Sequence, residues 1–219
     1  MGKSNLGFSY YIDGHIIAVK DRISDLGVTI DNKLSFAAHI TTISTKARSR
    51  CALFLRSFVS RDWALMTMFF KVYVRPLMEY GCVIWSPITT SLIKKLEKVQ
   101  RSFTKKAVNL RDLAYHDRLL SLQLESLQHR RRLADLIFLF SVFSGNSKMN
   151  FGSHLILKDP SNTRGHNLRI AIPYINLNTT SQTFLIRTSP DWNSLPDAAL
   201  ACPSTAGFRA KIGAFFRDV

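Results

Sequence analysis

Lys94, Lys98, Arg101 and Lys105 are spaced by four, three and four residues, the steps that bring side chains onto one side of an α-helix. Lys95 and Lys106 flank the row, and Glu97 is the only acidic residue within it. Aligned like charges repel by roughly a few tenths of a kcal/mol per pair, so the pattern suits a face that meets an anion. The plain alternative is a solvated face. A chain of phosphates would be held by such a row through its backbone, without any reading of base edges. A second cluster, His129-Arg130-Arg131-Arg132, is treated as half structural. At roughly 100° per residue three consecutive arginines cannot share one helix face. At least one must point toward neighbouring elements, packing by its stem or pairing with a carboxylate such as Asp135 or Glu125.

Other chemistries lack their partners. Metal-dependent nucleotide chemistry needs carboxylates converging on a cation pair, and no two Asp residues are adjacent anywhere in the chain. In Tyr10-Tyr11-Ile12-Asp13-Gly14 glycine stands where a second carboxylate would be needed, so the segment reads as a hairpin turn. Histidines 15, 39, 116, 129, 154 and 166 form no i,i+4 pair and have no cysteine at ligand spacing. No serine sits in a Gly-x-Ser-x-Gly elbow. Cys51, Cys82 and Cys202 are odd in number and far apart, against both a disulfide framework and a zinc knuckle, which points to a reducing compartment. No catalytic residue and no metal ligand set is assigned. Met1-Gly2-Lys3-Ser4 lacks the earlier glycine of a phosphate loop, and Leu6 stands where a myristoylation signal needs Ser or Thr. The most apolar run, 136–143, is far short of the roughly 20 residues of a bilayer span. An intracellular protein, nuclear or cytoplasmic, neither secreted nor membrane-spanning, is expected.

The elements that must position the basic row follow from periodicity and charge. The 219 residues carry a net charge of +15, with 46% apolar and 11% aromatic residues, enough to bury a core and to exclude a disordered basic tail. Residues 1–36 are neutral, with four basic and four acidic side chains, whereas 37–150 hold 19 basic against seven acidic and 151–219 seven against four. The middle block makes a polyanion the expected partner, nucleic acid before an anionic membrane surface; solubility alone is the bland reading.

Residues 8–12, 15–19 and 27–30 read as short strands around Asp13-Gly14 and before Asp31-Asn32. Phe36, Ile40, Ile43, Ala47, Cys51, Phe54 and Phe58 mark a long amphipathic helix with Ser35 placed to cap it. A second helix starts near Asp62 and is expected to kink or break at Pro76. A third spans 90–107, with Leu92, Leu96, Val99, Phe103 and Ala107 as its apolar stripe. Helices follow over 117–122 and 125–143, stopped by Gly145-Asn146. Beyond 146 the chain turns polar with β-prone runs at 155–157, 168–172 and 184–187, a turn anchored by Trp192, and an amphipathic segment over 205–216.

Several phrases, in order, carry a family resemblance. They are Ser24-Asp25-Leu26-Gly27-Val28-Thr29-Ile30-Asp31, Leu34-Ser35-Phe36, Tyr73-Val74-Arg75-Pro76-Leu77-Met78-Glu79-Tyr80 and Val83-Ile84-Trp85-Ser86-Pro87. Leu96-Glu97-Lys98-Val99-Gln100-Arg101-Ser102-Phe103, Thr163-Arg164-Gly165-His166 and Trp192-Asn193 with Leu195-Pro196 continue the series. Together they resemble the reverse transcriptases of non-LTR (LINE-type) retrotransposons, particularly the jockey-like group. The family's zinc-knuckle relatives are not matched, because the cysteine pattern is missing.

The resemblance implies a fragment of an RNA-directed DNA polymerase: the end of the palm, a thumb and a C-terminal extension, without the endonuclease, fingers and catalytic palm. The implied architecture is α+β, predominantly α. It comprises a palm-end, primer-grip-like β-hairpin in 1–36 around Leu26, Gly27 and Val28, a helical thumb-like nucleic-acid-binding bundle in 37–145, and a small mixed C-terminal module in 146–219. Lys94, Lys95, Lys98, Arg101, Lys105, Lys106, Arg130 and Arg131 are the candidate nucleic-acid contacts. The implied partners are template RNA, the RNA–DNA hybrid or DNA, and the upstream fingers and palm. Magnesium would be needed by the parent polymerase, and no cofactor is expected in this chain, which alone is not expected to be an enzyme. The rivals are a peripheral binder of anionic membranes, with no stable membrane partner expected on the leading reading, and an inert translated remnant of a decayed element.

Overall fold

Two antiparallel hairpins open the computed structural model, which describes residues 8–149, 151–159, 166–171 and 183–216. The Gly-Lys-Ser tripeptide near the start, the Thr163-Arg164-Gly165 phrase and position 172 of the expected 168–172 run lie outside the described residues. Strand β1 (Tyr11–Ile12) pairs with β2 (His15–Ile16) across Asp13-Gly14. Strand β3 (Arg22–Asp25) pairs with β4 (Val28–Asp31) across Leu26-Gly27. Both turn residues of the second hairpin have positive φ, 44° and 83°, the geometry that matches a two-residue loop to strand twist. The sequence shows β4 by its β-branched residues, but Arg-Ile-Ser-Asp in β3 has too little apolar alternation to show its partner.

Helix α1 (Ala37–Ser57) buries the expected stripe Ile40, Ile43, Ala47, Cys51 and Phe54, whereas Phe58 lies beyond its end, half exposed and stacked on Phe54. Its start differs from the expected Ser35 cap. The Asp31 carboxylate accepts from the N–H groups of Lys33, Ser35 and Phe36 and from the Ser35 hydroxyl, at 2.8–3.0 Å. Ser35 Oγ accepts only a longer bond, 3.3 Å, from Ala37 N–H. Burial works to raise the Asp31 carboxyl, but the hydrogen bonds prevail and hold it below the usual carboxylate value. A carboxyl depressed in the folded state stabilises the fold above its unfolded pKa of about 3.9, and that stabilisation is lost as pH falls through the folded value. Asp31→Ala is therefore expected to cost about 1–3 kcal/mol at neutral pH and progressively less at a pH below the unfolded value of about 3.9. Urea denaturation of both proteins at the two pH values measures this, and an equal cost at both would refute it.

Asp62 caps α2 (Trp63–Phe69) by accepting from Leu65 N–H at 3.0 Å. The chain does not break at Pro76. It widens into a π-helical turn at Phe70–Val74 and continues as α3 (Arg75–Glu79), with proline in the first turn, where a missing N–H disturbs the ladder least. Then come α4 (Cys82–Trp85), α5 (Thr90–Thr104), α6 (Tyr115–Ser121) and α7 (Leu127–Phe143). Ser126 caps α7 by accepting from His129 N–H, and Gly145 follows it at φ 72°. The last described helices are α8 (Phe184–Asn193), α9 (Asp197–Leu200) and α10 (Thr205–Phe215).

Two apolar clusters hold these elements. The first gathers Ile40 and Phe54 of α1, Phe70 and Met78, Trp85, Leu96 and Phe103 of α5, and Leu127 at the start of α7. The second gathers Leu136, Leu139 and Phe140 of α7 with Ile170, Trp192 and Phe208, so α7 contributes to both. Phe140 stacks on Phe208 at 4.1 Å and Phe143 on Trp192 at 5.1 Å. The run 184–187, expected to be extended, is the first turn of α8; four residues are too few to separate the two periods. Among the described residues the other β-prone runs reduce to a single bridge between Leu157 and Ile170. Trp192 lies in the last turn of α8 and anchors the turn that follows, its carbonyl accepting from Leu195 N–H at 3.1 Å: fully buried, its indole N–H donates to Leu168 O, while the Asn193 amide clamps both backbone groups of Ile170. The fold is α+β and mainly helical, with short antiparallel hairpins at the N-terminal end.

Candidate nucleic-acid interface

Helix α5 buries Leu96, Val99 and Phe103 against α1 and the π-helical turn, and this fixes which way its polar residues face. Lys94, Lys98, Arg101, Lys105 and Lys106 are exposed. Among the described residues none of them stands within ion-pair distance of a carboxylate. Lys95 is half-buried and its Nζ donates to Thr41 Oγ1 of α1 at 2.7 Å. Glu97, the acid that interrupts the row in sequence, is turned inward: its two oxygens accept from the Tyr115 hydroxyl and from Gln128 N–H, each at 2.7 Å. Burial and the Glu97 charge both push the Tyr115 hydroxyl upward, so it stays a protonated donor. The outward face of α5 thus keeps its cations and loses its one anion.

Arg101 gains a platform that its spacing does not reveal. Its guanidinium lies 4.6 Å from the centroid of the Tyr115 ring, a cation–π contact that orders the side chain while leaving it accessible. Arg118 approaches the same ring at 5.6 Å but is buried, donating to Leu113 O and Arg101 O. The sequence reading also passed over α1, whose Lys46 and Arg48 are exposed. Arg48 is seven residues after Thr41, on the helix side that the Lys95 contact joins to α5. The signal was present as basic residues at 46, 48 and 50, but without the packing of α1 on α5 nothing assigns them a side.

Arg130 and Arg131 do not join this row. Arg130 forms a bidentate pair with Glu79 at 2.5 and 3.0 Å and reaches Glu125 at 3.1 Å. Arg131 is 1% exposed. Of the three primer-grip-like positions, Leu26 points into solvent, Gly27 forms the turn and Val28 is buried. The hairpin is clipped to α1 by His39, whose Nδ1 accepts from Thr29 N–H at 3.2 Å. Burial, then Lys46, pushes the His39 ring downward, so it stays neutral and able to accept.

Among the described residues no group of three or more His, Cys, Asp or Glu side chains converges as a metal site. All three cysteines are free and buried, and burial pushes the Cys82 thiol up to about 11 and the Cys51 thiol up to about 12. Both are protonated at neutral pH and poor nucleophiles. Among the described residues no helix is long and apolar enough to cross a membrane.

These features define a mainly helical protein that presents one helix face of uncompensated positive charge. The chain is 33% identical over 132 residues to an uncharacterized protein of Caenorhabditis elegans, covering 59% of this chain and 67% of that one. It belongs to the family of that nematode protein. It is also 28% identical over 139 residues to a probable RNA-directed DNA polymerase from transposon X-element of Drosophila melanogaster, covering 51% of this chain and 14% of the polymerase. This distant, partial likeness links the chain to sequences related to retrotransposon reverse transcriptases. No protein-family profile matches it, and no solved structure does.

Proposed function

We propose that this chain is the C-terminal part of a jockey-like, non-LTR retrotransposon reverse transcriptase, the end of the palm, the thumb and a C-terminal extension. It grips template RNA and the RNA–DNA hybrid by their backbones and does no chemistry itself. The observation that carries the reading is the outward face of α5, where Lys94, Lys98, Arg101 and Lys105 align without a carboxylate partner among the described residues and Glu97 is turned inward. The likeness to a transposon polymerase supports it. So do Tyr11, Ile12, Ile16, Ile23 and Leu26, exposed apolar side chains of the two hairpins, which an upstream fingers and palm region would cover. Phosphate contacts of this kind position a duplex without reading its sequence.

The test is the affinity of the chain for a short RNA–DNA hybrid over a salt series, set beside its partitioning onto anionic vesicles at matched salt. The expected result is a steep, linear fall of log affinity with log salt, with the hybrid preferred over vesicles throughout. Stronger vesicle binding would favour a membrane surface as the partner, and no binding to either would leave an inert remnant.

A further inference from the structure

The face of α7 that carries Arg131 meets α8 and the loop after α4 around a cavity of about 270 Å³. Three guanidinium groups line it, from Arg131, Arg132 and Arg187, with two carboxylates, from Asp135 and Asp191. Both carboxylates are already engaged on both oxygens. Asp135 accepts from Arg187 Nε and Nη2 at 2.9 and 3.0 Å, and Asp191 from Arg132 Nε and Nη2 at 2.7 and 2.6 Å. Arg131 is left over. Its two Nη atoms are enclosed and have no hydrogen-bond partner among the described residues, and the same holds for the Thr188 hydroxyl on the same wall.

Three cations against two anions line the cavity, and Glu97, the carboxylate that acts most strongly on the Arg131 charge, stands outside that lining and leaves the two Nη atoms without a hydrogen bond. A buried guanidinium without a partner is costly. Water filling the cavity would satisfy N–H groups but not the charge. An anion satisfies both, through charge-assisted hydrogen bonds to the planar guanidinium fork. We propose that this cavity binds a phosphate-class oxyanion, held by the Arg131 guanidinium and the Thr188 hydroxyl. Donors from α7 and α8, with Ser86 from the loop after α4, approach from separate segments and suit a tetrahedral ion better than a planar carboxylate. The cavity is smaller than a drug-sized pocket, which fits a phosphoryl group with little else attached. Arg132, with its side chain 47% exposed, and the exposed Ile88 and Gln128 form the rim through which an ion or a strand terminus enters.

The experiment is calorimetric titration of the whole chain with inorganic phosphate at constant ionic strength, with chloride and acetate as reference anions. Saturable binding at millimolar phosphate is expected, weakened roughly ten-fold or more in Arg131→Met and a few-fold in Thr188→Val. The variant with alanine at 94, 98, 101 and 105 should bind phosphate as the natural chain does, so this site can fail or hold independently of the α5 interface. A preference for a 5′-phosphorylated DNA strand over its 5′-hydroxyl form, lost in Arg131→Met, would assign the phosphate to a strand end. Phosphate binding without that preference would assign it to a free small ion. Absence of saturable phosphate binding, equal effects of acetate or chloride, or undiminished binding in a folded Arg131→Met chain would each overturn the proposal. Should Arg131→Met fail to fold, undiminished binding in Thr188→Val overturns it in its place.

Discussion

Changing Lys94, Lys98, Arg101 and Lys105 together to alanine is expected to weaken hybrid binding on the order of a hundred-fold at about 0.15 M salt, and to flatten the log–log salt slope by about three. The magnitude follows from counterion release. Each neutralised phosphate contributes roughly 0.7–0.9 to the slope, and four exposed side chains on one face can each reach a phosphate along a duplex. Melting should change little, since removing exposed like charges relieves repulsion and breaks no ion pair among the described residues. Arg101 also covers the Tyr115 ring, so a triple lysine variant separates charge from packing. It should retain about one unit more of slope than the quadruple variant. An unchanged slope in the quadruple variant would move the binding face off α5, and the exposed Lys46 and Arg48 of α1 would be the next residues to change.

The face that this experiment probes was legible in the sequence because it depends on helical spacing alone. The three-, four-residue steps that align Lys94 with Lys105 also align Leu96, Val99 and Phe103 on the buried side. The stripe of α1, the start of α2 near Asp62 and the stop at Gly145 were legible from equally local signals. What escaped depends on partners distant in sequence. Glu97 reads as a break in the basic row until Tyr115 and Gln128 draw it inward. Helical spacing requires at least one of Arg130, Arg131 and Arg132 to turn inward, but only the packing of α8 on α7 shows that Arg131 is the enclosed one. Ser35 has the right chemistry for a cap, yet Asp31, four residues earlier, takes the backbone N–H groups because the hairpin delivers its carboxylate to the turn. Pro76 announces a break that the π-helical turn ahead of it makes unnecessary.

Asp135→Ala is expected to destabilise the protein by about 3–5 kcal/mol, lowering its melting midpoint on the order of 10 °C. Asp135 and Arg187 have side chains only 6% and 5% exposed and meet through two parallel hydrogen bonds. Arg187 Nη2 also donates to Val83 O of α4, so the pair ties α8 to α7 and α7 to the first cluster. Removing the carboxylate leaves Arg187 buried opposite Arg131, and the cost is that of a stranded charge more than of a lost contact. This sets the size of the effect and also a way to check its cause. If the cost is stranding, removing the second charge should recover stability, so Asp135→Leu combined with Arg187→Met is expected to regain roughly half of the loss or more. Urea denaturation of the two single variants and the double variant measures the coupling. A loss below about 1 kcal/mol in Asp135→Ala would place the pair with weak surface bridges. A double variant as unstable as the sum of the two single ones would mean that the two side chains act independently, through contacts other than each other, such as that of Arg187 with Val83 O.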